Sequence, residues 1–169
     1  MVRHSLPCSL AAHPIQSHDT SASIAPGTVA ASMSLRQWME LSLTGDQVTV
    51  ELLPDAPPYL QSIDLVASFL KKNYENPTPF DLDEMISKLL NAYSGLVFAP
   101  GGILTMDFKG DKLRLVVASI SIVDLADEQK FGMRNQSRSI EMGVMMQKTD
   151  ITIMKDGGSP MKIKASAKR

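Results

Sequence analysis

Histidine is nearly missing from this chain: the three that occur are His4, His13 and His18, so residues 19–169 hold no imidazole to act as general base or metal ligand. His-based catalytic triads and HExxH metal sites are thereby excluded from the body of the chain. Cysteine is scarcer still. The single Cys8 cannot close an intramolecular disulfide, and one Cys beside eleven Met is the usage of a reducing compartment, so a cytosolic location is expected. None of the ten glycines is followed by Lys, which excludes a P-loop, where backbone amides cradle phosphates and the Lys reaches the terminal ones. No apolar run approaches the ~18 residues of a transmembrane helix. The opening MVRHSLPCSLAAH has one Arg and a short apolar stretch cut by Pro7, which fits neither a secretory signal nor a transit peptide.

What is present describes a globule. The 169 residues are 44% apolar and 21% charged, enough to bury a core as one domain or as two small lobes. Seventeen Lys+Arg against eighteen Asp+Glu give a net charge of -1, which is not the footprint of a nucleic-acid binder, and none is expected as a partner. The distribution is uneven. Residues 36–63 carry Arg36 against Glu40, Asp46, Glu51 and Asp55, whereas the stretch from residue 64 onward is mildly basic.

Two tempting clusters have plainer explanations. His4, Cys8, His13 and His18 match no zinc spacing and sit in Ser/Ala/Pro-rich surroundings, so no metal is expected. Asp81, Asp83 and Glu84 suggest paired carboxylates for acid/base work, yet Asp81 with Glu84 three positions on is a helix cap with its capping partner. Acidic residues in a first turn are stabilised there by the helix dipole.

Residues 1–25 show no helical or strand period and are expected to form a disordered leader. After the Pro26-Gly27 turn, Thr28–Ser34 is small and β-compatible, and Trp38 is assigned to the core. Gln47–Leu52 alternates as a half-buried strand. The Pro-rich stretch 54–62 reads as a linker between a short all-β lobe (26–53) and a larger lobe (63–169). In the second lobe, Ile63, Leu65, Ala67 and Phe69 alternate as a strand ending at Lys71-Lys72. Leu82, Met85, Ile86, Leu89, Leu90 and Tyr93 then fall on one helical face over 82–93, with Gly95 as terminator. A hairpin follows, Leu104–Phe108 turning at Lys109-Gly110-Asp111 into Leu113–Ile120. Further strands are expected at Ile140–Met146, Ile151–Met154 and Met161–Ala165, with a solvated loop over 125–138. The predicted architecture is α+β and β-rich, one main helix against an antiparallel series of strands.

Pro26-Gly27-Thr28-Val29, Arg36-Gln37-Trp38, Val48-Thr49-Val50, Phe69-Leu70-Lys71-Lys72, Phe80-Asp81-Leu82-Asp83, Phe98-Ala99-Pro100-Gly101 and Leu115-Val116-Val117 occur in this order. The series resembles, over roughly residues 24–168, the N-terminal domain of the N-ethylmaleimide-sensitive factor family, the membrane-fusion AAA ATPases. The resemblance implies a double-psi β-barrel subdomain, here partial, followed by an α/β-roll. It implies binding of the SNAP adaptor and, through it, of SNARE complexes that the family's ATPase modules disassemble. ATP and magnesium would belong to those modules, as would hexamer formation. This chain would then be a binding module and not an enzyme, peripheral to transport-vesicle and target membranes through its partners, without direct insertion. Matched position by position, Arg36 and the pair Lys71-Lys72 are the implied adaptor contacts, beside which acidic groups of a partner would be steered.

The family barrel would have roughly fifty more residues of strand before Pro26-Gly27, at about five to six residues per strand plus turns. A barrel short of strands exposes unpaired edges, so a first lobe less stable than the second and weakened adaptor binding are expected. Three alternatives stay open: a cofactor-recruiting N domain like that of valosin-containing protein, a small double-psi enzyme for which no nucleophile or aspartyl dyad is visible, and an inactive truncated gene product.

Overall fold

The computed structural model describes residues 2–4, 12–13, 24–43, 46–53, 56–123 and 142–164. The element order is β1 (Val2–His4), β2 (Ala12–His13), α1 (Met33–Trp38), β3 (Val48–Val50), β4 (Leu60–Phe69), β5 (Phe80–Asp81), α2 (Leu82–Tyr93), β6 (Val97–Phe98), β7 (Ile103–Phe108), β8 (Asp111–Ile122), β9 (Gly143–Val144), β10 (Asp150–Lys155) and β11 (Ile163–Lys164). The fold is α+β and strand-rich, as the patterning predicts.

The main sheet has the order β10-β4-β8-β7. β4 and β8 are the long central pair, antiparallel from Leu60↔Ile122 to Phe69↔Leu113, with irregularities at Leu60/Ser62 and Asp64/Leu65. β7 and β8 form the predicted hairpin. Phe108 pairs with Asp111, leaving Lys109 and Gly110 as a two-residue loop, both at positive φ (53° and 88°). That is the twist a tight hairpin needs, and Gly110 adopts it without a Cβ penalty.

α2 spans the predicted helix. Asp81 caps it by accepting from the Glu84 amide at 3.1 Å, and Asp83 and Glu84 occupy its first turn, so the carboxylate cluster is a helix start. Its apolar face buries Met85 and Leu89 against Leu65, Ala67, Phe69, Leu113, Leu115 and Val117 from the sheet, joined by Met145 and Met161. A core built from alternate residues of β4 and β8 follows from the period-two pattern read in the sequence.

Several expectations are corrected. The first lobe is not all β: residues expected to be extended begin a helix at Met33, because Ser32 accepts from the Leu35 amide at 3.2 Å and caps it. Within the stretch expected to lack order, β1 pairs antiparallel with both β2 and β3. The series in the second lobe is not wholly antiparallel. β10 runs parallel to β4 and β11 parallel to β5, pairings fixed by connections too long for sequence periodicity to report. β4 begins at Leu60, so Leu60–Ser62 belong to a strand and not to a linker. Of Ile140–Met146, only Gly143–Val144 is a strand among the described residues. Trp38 is half-buried, and its neighbour Met39 is the buried one. The loop expected over 125–138 lies outside the described residues.

Candidate functional site

Lys71 and Lys72 follow β4 directly and are exposed. Their position is set by the strand before them: the Leu70 amide donates to the Lys112 carbonyl at 2.9 Å, so the chain leaves the sheet beside the β7–β8 turn. Just beyond, Tyr74 and Asn76 fold back. The Tyr74 hydroxyl and the Asn76 side-chain amide each donate to one oxygen of the buried Asp111 carboxylate, both at 2.6 Å. Phe69 packs edge-on to Tyr74 and Phe80 with ring centroids 5.1 and 5.9 Å apart, and Phe80 in turn packs on Phe108. The lysine pair therefore projects from an aromatic and hydrogen-bonded base, not from a loose loop tip. The hydrogen bond to Asp111 holds the Tyr74 hydroxyl above the usual tyrosine range, with burial and the carboxylate's charge adding to it.

The same end of the molecule carries further lysines that sequence spacing could not assemble. Lys109, in the β7–β8 turn, pairs with Glu84 and lies 5.4 Å from the centroid of the Phe108 ring, with Lys88 at 6.0 Å from it. Lys155 closes β10 opposite Ala67, two residues from the end of β4. Lys162 accepts the Phe80 amide through its carbonyl at 2.8 Å, and Lys164 lies opposite Asp81. These residues come from four separate stretches of chain.

Arg36 is placed elsewhere. It is half-buried in α1, which packs on β7, and the ring of Trp38 lies against Gly101 and Gly102 at the start of that strand. Lys71 and Lys72 lie beyond its other end. Six residues of β7 separate the two levels, about 20 Å at ~3.3 Å per residue. The structure thus joins Lys71 and Lys72 to a lysine-rich end and sets Arg36 apart from it.

The side chains of His4, Cys8, His13 and His18 lie outside what is described. Among the described residues no cluster of three or more His, Cys, Asp or Glu could hold a metal, and no helix is long and apolar enough to cross a membrane. What the described surface offers is a set of exposed ammonium groups, chemistry suited to receiving an anion.

Residues 79–159 match the family described as Cell division protein 48 (CDC48), domain 2. That stretch runs from just before β5 to just beyond β10 and so takes in α2 and most of the main sheet. Along most of its length the chain is similar to the vesicular-fusion protein sec18 of Schizosaccharomyces pombe, 30% identical over 146 residues, covering 85% of this chain and 18% of that protein. It is likewise 27% identical over 148 residues to the vesicular-fusion protein SEC18 of Saccharomyces cerevisiae, covering 85% of this chain and 19% of that one. These matches agree with the resemblance to the N-ethylmaleimide-sensitive factor family read from the sequence motifs. The chain spans less than a fifth of the length of these relatives.

Proposed function

We propose that this chain is the partner-binding N-terminal module of a vesicle-fusion ATPase, docking the SNAP adaptor and through it SNARE complexes that are to be disassembled, with no chemistry of its own. The observation that carries it is the exposed Lys71–Lys72 pair directly after β4, next to Leu70, whose amide donates to the Lys112 carbonyl. Support also comes from the similarity to two vesicular-fusion proteins over 85% of the chain. Each exposed ion pair contributes about 0.2–1 kcal/mol, so several are needed for useful affinity, and their larger effect is on steering and register. Arg36 is a second, separate contact in this reading, about 20 Å along the sheet. Residues 26–53 are then a remnant of the double-psi barrel, with the α/β-roll following the Pro-rich stretch. The location is cytoplasmic and peripheral to vesicle and target membranes.

Titrating the chain with purified SNAP adaptor at low and high salt tests this. Salt-sensitive binding is expected, and Lys71→Glu with Lys72→Glu should weaken it by about tenfold or more, reversal of two exposed charges being worth a few ion pairs. No binding, or binding indifferent to both salt and the substitutions, rejects the proposal. The match of residues 79–159 to the CDC48 family favours a second reading, recruitment of ubiquitin-linked cofactors of the valosin-containing-protein kind. Binding of such a cofactor without binding of the adaptor would select it.

A further inference from the structure

Ten prolines punctuate the chain, and two of them follow a hydroxyl side chain: Thr78-Pro79 and Ser159-Pro160. Such a pair is what a proline-directed protein kinase takes, because its cleft seats a residue with fixed φ and no amide N–H next to the acceptor. By sequence Ser159 is the better substrate, since Lys162 stands three positions after it, where Thr78 has Asp81. The fold reverses that order.

Ser159 is held inside. It is 8% exposed, its amide donates to the Asp156 carbonyl at 2.9 Å, and its hydroxyl accepts from the Met161 amide at 3.3 Å. Met161 is buried in the core, so an enzyme reaches Ser159 only by drawing a core residue out with it. Thr78 is exposed, and its hydroxyl has no partner among the described residues. Between Leu70, whose amide donates to the Lys112 carbonyl, and Phe80, whose amide donates to the Lys162 carbonyl, residues 71–79 make no backbone-to-backbone hydrogen bond to other described residues. One exposed bond ties Thr78 itself, from its amide to Asn76 Oδ1 at 2.9 Å. Lifting Thr78 into a cleft therefore breaks that bond and leaves Phe69 and Phe80 buried on either side. Pro79 also disfavours helical φ/ψ at Thr78, which keeps the acceptor in the extended range. No Lys or Arg stands between Lys72 and Lys88, and Glu75 and Asp81 are the charged residues three positions to either side, so a kinase that selects basic neighbours finds none here.

We propose that Thr78 is a phosphoacceptor for a proline-directed protein kinase using ATP, and that Ser159 is protected while the fold is intact. Thr78 Oγ1 attacks the γ-phosphorus of ATP. The new Oγ1–P bond forms as the bond from that phosphorus to the β,γ-bridging oxygen breaks, ADP leaves, and the hydroxyl proton passes to the kinase's catalytic carboxylate. The product carries about -1.5 to -2 of charge at neutral pH on the loop between β4 and β5. The assignment is independent of what the chain binds.

The test gives the purified full chain ATP, magnesium and a proline-directed kinase of the kind that also favours a basic residue three positions on, so that sequence preference works against the expected answer. Intact mass counts the phosphates and peptide mapping places them. One phosphate at Thr78 is expected, about tenfold or more above the level at Ser159, whose modification needs local opening of the core. Thr78→Ala and Pro79→Ala should each lower incorporation about tenfold or more, while Thr78→Ser retains it and Ser159→Ala leaves it unchanged. Phosphate mainly at Ser159, none on the wild-type chain, or incorporation that survives Thr78→Ala would overturn the site. Survival in Pro79→Ala, or equal labelling of Thr78 by a kinase that selects basic neighbours, would overturn the kinase class. The wild-type map decides the site whatever the folding of any variant.

Discussion

Gly143 is the residue whose replacement tests the packing most sharply. It lies in β9 where that strand runs parallel beside the segment leading into β4. A Cβ built on it would stand 2.5 Å from Leu60 Cδ2, 2.9 Å from Leu60 Cγ and 3.1 Å from the Pro58 carbonyl oxygen. Nothing nearby can yield freely. Leu60 is 3% exposed, its carbonyl accepts from the Thr149 hydroxyl at 3.0 Å, and the Pro58 carbonyl accepts from the Val144 amide at 2.8 Å. Gly143→Ala must therefore push Leu60 off its rotamer or lift β9, an overpacking that costs about 1–3 kcal/mol. For a chain of this size that is about 2–4 °C of melting temperature per kcal/mol. Sign makes the test decisive. The φ of Gly143 is not in the left-handed region, so without the collision Gly→Ala would stabilise by about 0.4–1 kcal/mol through the unfolded state. Urea unfolding of wild type, Gly143→Ala, Leu60→Ala and the double variant closes a cycle. Leu60→Ala alone costs about 2–5 kcal/mol, and the double variant should be less destabilised than the sum by about 1–2 kcal/mol. A raised midpoint for Gly143→Ala, or strict additivity, would refute the close approach.

Three further outcomes follow from the same contacts. Asp111→Asn offers one acceptor where two donors, the Tyr74 hydroxyl and the Asn76 amide, converge, and sets an NH2 against one of them. It should lower the urea midpoint by the equivalent of about 1–3 kcal/mol, and an unchanged midpoint would show the pair to be solvated. Tyr74, through its bond to Asp111, and Tyr93, through burial, both titrate above the ordinary value near 10. The fold favours their neutral forms, so their contribution is complete below about pH 10 and lost as pH rises through the folded values. Tyr74→Phe should lack its share of that alkaline loss, read by unfolding at pH 9 and at pH 11; an identical alkaline slope in the variant would count against the assignment. Trp38→Ala removes the ring that rests on Gly101 and Gly102 and joins α1 to β7. Amide exchange should quicken over residues 33–39 while β4 and β8 keep wild-type protection, and a uniform change across the chain would mean that α1 belongs to the same cooperative unit.

Legibility divided along a physical line. α2 and the β7–β8 hairpin are local: a 3.6-residue period with an Asp cap, and a Lys-Gly turn between alternating strands, contain their own instructions. The alternation of Ile63, Leu65, Ala67 and Phe69 likewise placed the core face of β4 correctly. α1 was hidden because six residues with no buried side chain give no apolar period, and only the Ser32 cap marks its start. The parallel pairings escaped for a different reason. Nothing in Asp150–Lys155 states that it lies beside Ser62–Ala67, more than eighty positions earlier.

The same limit governed the candidate site. Lys71 and Lys72 were visible because they are adjacent in sequence. Lys155 and the β11 lysines join them through two parallel pairings, β10 on β4 and β11 on β5, each a long-range event. Arg36 shows the converse, since a resemblance groups residues by family role while the fold places its helix at the opposite end of β7. A charge map drawn from the sequence would therefore have spread the lysines of residues 150–164 along a solvated tail. Folding instead sets them by the registers of β10 on β4 and β11 on β5, among acids of which Asp111 alone is buried while Glu75, Asp83, Glu84 and Asp156 stay exposed, so the placement of charge at this end follows from strand pairing and not from sequence order.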